Sequence, residues 1–228
     1  MRNRLQITIV LLAGMSLTIL GAWATLQELS PYIMGPQSGT DSILELRTGA
    51  LKPGLAISTQ RDYLLKCSSA LSSYDLLRET EDQQRALTDA CQATANAMAA
   101  GQGANSLAWL VSAQLAARRS DYAAMNLGLR NSYATAPYEQ WLASLRFDLA
   151  ESYLANLEPD VSASHVADIR LMATSNLARR RLVATYLNNE SFKSRAIEII
   201  QTLPDDQQRR FVQSVRQSAS HRGAPAGE

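Results

Sequence analysis

The residues able to do chemistry are few and widely spaced. Of the two histidines, His165 opens a helical stretch and His221 lies close to the carboxyl end. Neither has N, S or carboxylate partners at a spacing that holds a metal, and His165 reads as a solvated or capping residue. A Ser–Lys hydrolase would have to use Lys52, Lys66 or Lys193, and none of these has a serine three residues before it. Asp148 and Glu151 share one helix face and could be imagined as an acid/base pair. With Arg146 beside them they read instead as a solvated, partly paired surface. No nucleophile elbow, His-Glu-x-x-His zinc motif or phosphate-cradling glycine loop occurs. The sequence therefore assigns no catalytic, cofactor-binding or metal-binding residue, and the expectation is a protein that is not an enzyme.

Two further groups carry chemical potential of another kind. Arg179-Arg180-Arg181 is the densest charge run and would suit an anionic partner such as an acidic glycan or phospholipid headgroups. Successive helical residues point around the axis, however, so ordinary surface charge is the plainer reading. Cys67 and Cys91 lie on apolar stripes of two adjacent helical stretches joined by the polar segment from Ser72 to Thr80. If those stretches form an antiparallel hairpin, both sulfurs face the partner helix at similar distances from the turn. A disulfide there would be worth on the order of 3 kcal/mol by constraining the unfolded chain, and it suits an oxidising compartment. The alternative is a pair of buried free thiols acting as small hydrophobes.

The elements that position these residues are helical throughout. With Lys+Arg 22 against Asp+Glu 21 and a net charge of +1, the chain lacks the basic face that nucleic acid demands. Glycine at 11 and proline at 7 fall mainly between apolar periodic runs, so an all-α domain is expected. Residues 1–4 form a cytoplasmic stub with Arg2 and Arg4, followed over 5–26 by an apolar run of spanning length. The cations should stay in the cytoplasm and send the rest of the chain across. Ala22-Trp23-Ala24 has the form of a signal-peptidase site, which would give a secreted soluble form, but the run continues to Leu26 and reads as a retained anchor.

A Pro/Gly/Ser-rich linker is expected over 27–58. Helices are then expected at 59–72, 80–100, 105–118, 122–134, 138–156, 161–174, 176–188, 190–202 and 205–217. Hydroxyl-first capping signatures occur at Thr59-Gln60-Arg61-Asp62 and Thr80-Glu81-Asp82-Gln83. The domain should occupy 59–217, with a disordered tail over 218–228.

Within that series, Trp109, then Ser120-Asp121-Tyr122, then Pro137 follow the order and spacing of a tetratricopeptide (TPR) repeat. The stretch from Ser106 to Pro137 resembles one such helical hairpin, with Ser120 where the family has a turn glycine and Met125 where it has a small alanine. The resemblance implies antiparallel hairpins stacked TPR-like behind the transmembrane helix, presenting a concave surface for a peptide or helix of a partner. Gln114 and Arg118, on the first helix of the unit, are its candidate exposed contacts.

A looser resemblance links the Pro-terminated hairpin, the Trp141-Leu142 helix and Glu158-Pro159-Asp160 to small anchored proteins encoded among bacterial exopolysaccharide and capsule genes. It implies a single-pass inner-membrane protein with a periplasmic domain, accessory to polysaccharide polymerisation or export. The expected partners are other envelope proteins, the inner membrane and an anionic polysaccharide, with no cofactor. The competing class is an envelope glycan-binding protein or an enzyme whose site carries no recognisable motif.

Overall fold

The computed structural model describes residues 2–33, 44, 46, 48, 57–73, 80–101 and 104–223, with side chains described throughout these except at 2–5, 7–10, 27–33 and 221–223. Among the described residues the secondary structure is entirely helical. Its elements are α1 (Arg2–Ile33), α2 (Ile57–Ser72), α3 (Glu81–Gly101), α4 (Ser106–Arg118), α5 (Tyr122–Thr135), α6 (Gln140–Ser152), α7 (Pro159–Thr174), α8 (Asn176–Asn188), α9 (Glu190–Ile200) and α10 (Asp205–Gly223). A 3₁₀ turn, Leu154–Asn156, follows α6, which ends earlier than the expected 156.

The chain divides into two compact units, Met1–Ala97 and Met98–Glu228. The expected domain over 59–217 crosses that division.

In the first unit, Cys67 and Cys91 are joined, with Cα atoms 5.8 Å apart, which ties α2 to α3. Leu64 and Leu71 on α2, and Leu87 and Ala95 on α3, are buried beside them. The capping box at the start of α3 is formed in both directions: the Thr80 amide donates to Gln83 Oε1 at 3.0 Å and the Gln83 amide to Thr80 Oγ1 at 3.4 Å. The parallel expectation at Thr59 does not hold. Helix α2 starts two residues earlier, at Ile57, and Thr59 is buried within its first turn.

Helix α1 exposes Leu11, Leu12, Met15, Leu17, Ile19, Leu20, Trp23 and Leu26, so its apolar residues cover every face. Among the described residues no helix is long and apolar enough to cross a membrane. In the segment read as a linker, Leu44, Leu46 and Thr48 are helical and Leu46 is fully buried.

In the second unit four helices start where a short polar side chain answers their free amides. Asn105, Asp121, Ser175 and Asn189 accept from the third residue on in α4, α5, α8 and α9, and Pro159 opens α7. Ser120 sits in the tight turn between α4 and α5 with φ 58°, the left-handed region. Helices α4 and α5 pack closely. A Cβ built on Gly128 would lie 2.9 Å from both Ala113 Cβ and the Trp109 carbonyl oxygen, so only glycine permits this approach.

Helix α6 packs on α4, α7 and α8, while α7 and α8 are each also covered by α9 and α10. The core between them holds Phe147, Ile169, Met172, Leu182, Phe192 and Phe211. Phe147 meets Phe192 edge-on at 5.4 Å.

Candidate functional site

Two features of the second unit bring polar and reactive groups together, and they differ in access. The first is a buried charged network where α6 faces α7 and α9. Arg146 donates from Nε to Asp168 Oδ2 at 2.8 Å and from Nη2 to Oδ1 at 2.7 Å. The two side chains are 3% and 2% exposed. The remaining Arg146 nitrogen donates to the carbonyls of Ser132 and Ala136, both at 3.3 Å, and the guanidinium lies over the Tyr133 ring.

One turn along α6, Glu151 accepts from Arg195 at 2.7 and 3.1 Å and pairs with His165 Nε2 at 2.7 Å. The His165 ring packs on Phe147 at 5.6 Å. Between these groups lies a cavity of about 10 Å³ lined by Tyr133, Arg146, His165 and Asp168, room for at most one water molecule. Its electrostatics follow from burial. Desolvation pushes the Asp168 carboxyl above its ordinary value despite the bonds from Arg146. For Glu151 burial acts in the same direction, but the hydrogen bonds and charges of His165 and Arg195 together outweigh it and hold the carboxyl below the usual range. A network this enclosed has no room for a substrate. Its chemistry is to fix α6, α7 and α9 in one register.

These residues correct three expectations. His165 is neither solvated nor a cap but 4% exposed. Arg146 does not pair with the carboxylates of its own helix, and Glu151 is not a surface group. The reason is packing: α6 is covered on more than one side, so its charged face must find complementary charge on its neighbours. A faint signal existed in the spacing, since Phe147, Ala150 and Glu151 on α6 match His165, Asp168 and Ile169 on α7 as helical faces. A single sequence does not say which faces meet.

The second feature is an open pocket of about 550 Å³ where the amino-terminal ends of α6 and α8 come together, lined by Tyr138, Glu139, Gln140, Trp141, Leu177 and Arg181 among others. Tyr138 is 84% exposed and Leu177 77%. The Arg181 guanidinium donates to Asp148 at 2.6 Å, which answers its charge at the pocket wall. Burial raises the Asp148 carboxyl, partly countered by Arg181. Apolar rings with a few polar groups at the rim can hold a hydrophobic side chain of another molecule. Nothing in the helical periodicity singled out this patch, because Tyr138 and Leu177 lie in turns or first turns where no face is defined.

The structure disperses the residues named from the sequence. Gln114, expected to be exposed in a groove, is 7% exposed. Helix α4 is apolar nearly all round, and Gln114 is carried inward with Val111 and Leu115. Arg118, on the same helix, is half-buried, and burial lowers its guanidinium, partly offset by Tyr153. The arginine run splits: Arg179 is buried, Arg180 is exposed, and Arg181 is the exposed partner of Asp148. Cys67 and Cys91 form the one pair brought together as foreseen. The side chain of His221 lies outside the described residues. Among the described residues no group of His, Cys, Asp and Glu is arranged to hold a metal ion. Comparison with known proteins returns no matching family model, curated protein or solved structure.

Proposed function

We propose that this chain is a non-catalytic, membrane-anchored adaptor whose exported helical domain docks another envelope protein, in a role accessory to exopolysaccharide polymerisation or export. The observation that carries the reading is the open pocket with Tyr138 84% and Leu177 77% exposed. An exposed apolar patch of this kind on an otherwise well-packed helical unit is what a protein contact covers. Its occupant is a helix or extended segment of the partner with an apolar anchor residue.

Helix α1 supports the anchoring. Its leucines face outward on all sides, and the hydroxyls of Ser16, Thr18 and Thr25 are satisfied by carbonyls one turn back, at 2.9, 2.9 and 2.8 Å, which lowers the cost of placing them in lipid. Tethering would raise the partner's effective concentration at the membrane. The Cys67–Cys91 bond accords with an exported, oxidising location. The close α4–α5 packing at Gly128 supports a TPR-like hairpin.

The test is site-specific photo-crosslinking of the full chain in its native membrane, with the probe at position 138 or 177. A discrete protein adduct, lost when Leu177 is replaced by Asp, is expected. Adducts confined to polysaccharide would transfer the pocket to the glycan-binding alternative, and a carboxyl-terminal reporter active only in the cytosol would overturn the export.

A further inference from the structure

The pocket at the amino-terminal ends of α6 and α8 has an apolar centre between two sides of opposite charge. Tyr138 and Leu177 stand exposed in it, and Trp141 and Ala178 share its lining. The α6 side carries Glu139, an exposed residue of the same lining. Glu139 gives its own helix no side-chain cap, and no cation pairs with it among the described residues. The α8 side has three arginines in its helix and no carboxylate. Of these, Arg181 is answered by Asp148, while Arg180 is exposed and without an ion-pair partner among the described residues. Arg180 lies three residues past Leu177, on the same side of the helix.

A surface that pairs with its own copy across a two-fold axis must be self-complementary, because each feature of one copy meets a different feature of the other. A patch of one sign repels its own image. Here the rotation that lays Tyr138 of one copy against Leu177 of the other also carries Glu139 of one towards Arg180 of the other, and it does so twice. Such a pairing takes the exposed apolar side chains of both copies out of water and answers both lone charges together. A cavity of about 550 Å³ has room for an aromatic ring. The net charge of +1 sets up no long-range repulsion between copies.

We infer that the protein docked at this pocket is a second copy of the same chain, paired about a two-fold axis with Tyr138 and Leu177 at the centre and Glu139–Arg180 contacts at the rim. The inference rests on the docking role proposed above for the pocket, and names its occupant. An anchor in a shared membrane favours it, since copies confined to one surface meet at raised effective concentration.

The test joins two measurements on the full chain. With a photo-crosslinker at position 138 in the native membrane, the adduct should run at twice the chain's mass and yield peptides of this chain alone. In detergent, sedimentation over a protein concentration series should show a monomer–dimer equilibrium. Glu139→Arg or Arg180→Glu alone should weaken that equilibrium about tenfold or more, since each sets like charges face to face in both contacts. The two changes together should restore it to within about threefold of the wild type. Both positions are exposed, so the thermal midpoints of the variants should stay where they are. An adduct with a different protein, from a chain that sediments as a monomer, would overturn the second copy and leave the docking role standing. Adducts confined to polysaccharide, or none at all, would remove the docking role and the inference with it. A dimer indifferent to the single charge changes, or not recovered by the double one, would place the contact elsewhere and overturn the inference.

Discussion

The α4–α5 hairpin and the α6–α7 pair solve the same packing problem by opposite means. Between α4 and α5 the helices meet through shape: Gly128 lies against the backbone at Trp109 and Ala113. The buried polar exchange described there is small: Ser106 Oγ donates to the Ser132 carbonyl at 2.6 Å and lies 3.0 Å from the Ser132 hydroxyl. Between α6 and α7 the contact is made by charge, with Arg146 and Asp168 enclosed among Phe147 and Ile169. Close backbone approach gains dispersion and needs no complementary partner. Buried charge gains little net stability but penalises every misregistered arrangement, because each leaves an unpaired ion.

The contrast can be broken most forcefully at Asp168. Asp168→Ala should cost about 3–5 kcal/mol in urea unfolding, because Arg146 stays charged and enclosed. The double replacement Arg146→Met with Asp168→Leu should recover most of that loss. If the double variant is as unstable as the single, the pair supplies net stability and the contrast with the hairpin fails.

In the hairpin, Gly128→Ala should cost about 1–3 kcal/mol by overpacking, since the groups it meets at 2.9 Å include backbone. Alanine's helix propensity returns only about 1 kcal/mol of this. A stabilised variant would mean that the helices separate freely and that shape is not what holds them.

A smaller effect distinguishes the charged region by pH. Glu151 is held below its ordinary range in the folded protein, so its contribution is fully present above the unfolded glutamate pKa of about 4.3 and is lost as pH falls through the folded value. Glu151→Gln should flatten that acid limb of stability and leave the hairpin variants' acid limb unchanged. The smallest expected change is at the turn between α4 and α5. Ser120→Gly should stabilise by up to about 1 kcal/mol, since a serine at φ 58° carries strain that glycine lacks.

What was legible and what was not follows from the range of the forces. The helices, the cap at Thr80 and the Cys67–Cys91 pairing were readable because each depends on neighbours a few residues away or across one short connection. The readings that failed were those about exposure. Gln114 was placed on a groove and is buried; His165 and Glu151 were placed in solvent and are enclosed. Each is polar in a helix covered on more than one side, and periodicity counts apolar positions only.

By itself, then, the sequence determined the helical character of the described residues, the capped start at Thr80 and the meeting of the two sulfurs across one hairpin. These are consequences of backbone hydrogen bonding and local spacing, which act within a turn or a hairpin. The tertiary structure alone decided that Arg146 answers Asp168, that Arg179 is enclosed, and that Tyr138 and Leu177 share an open pocket. Those depend on which helix faces meet across 20 or more residues of chain, and many pairings of amphipathic faces satisfy the same pattern until packing selects one.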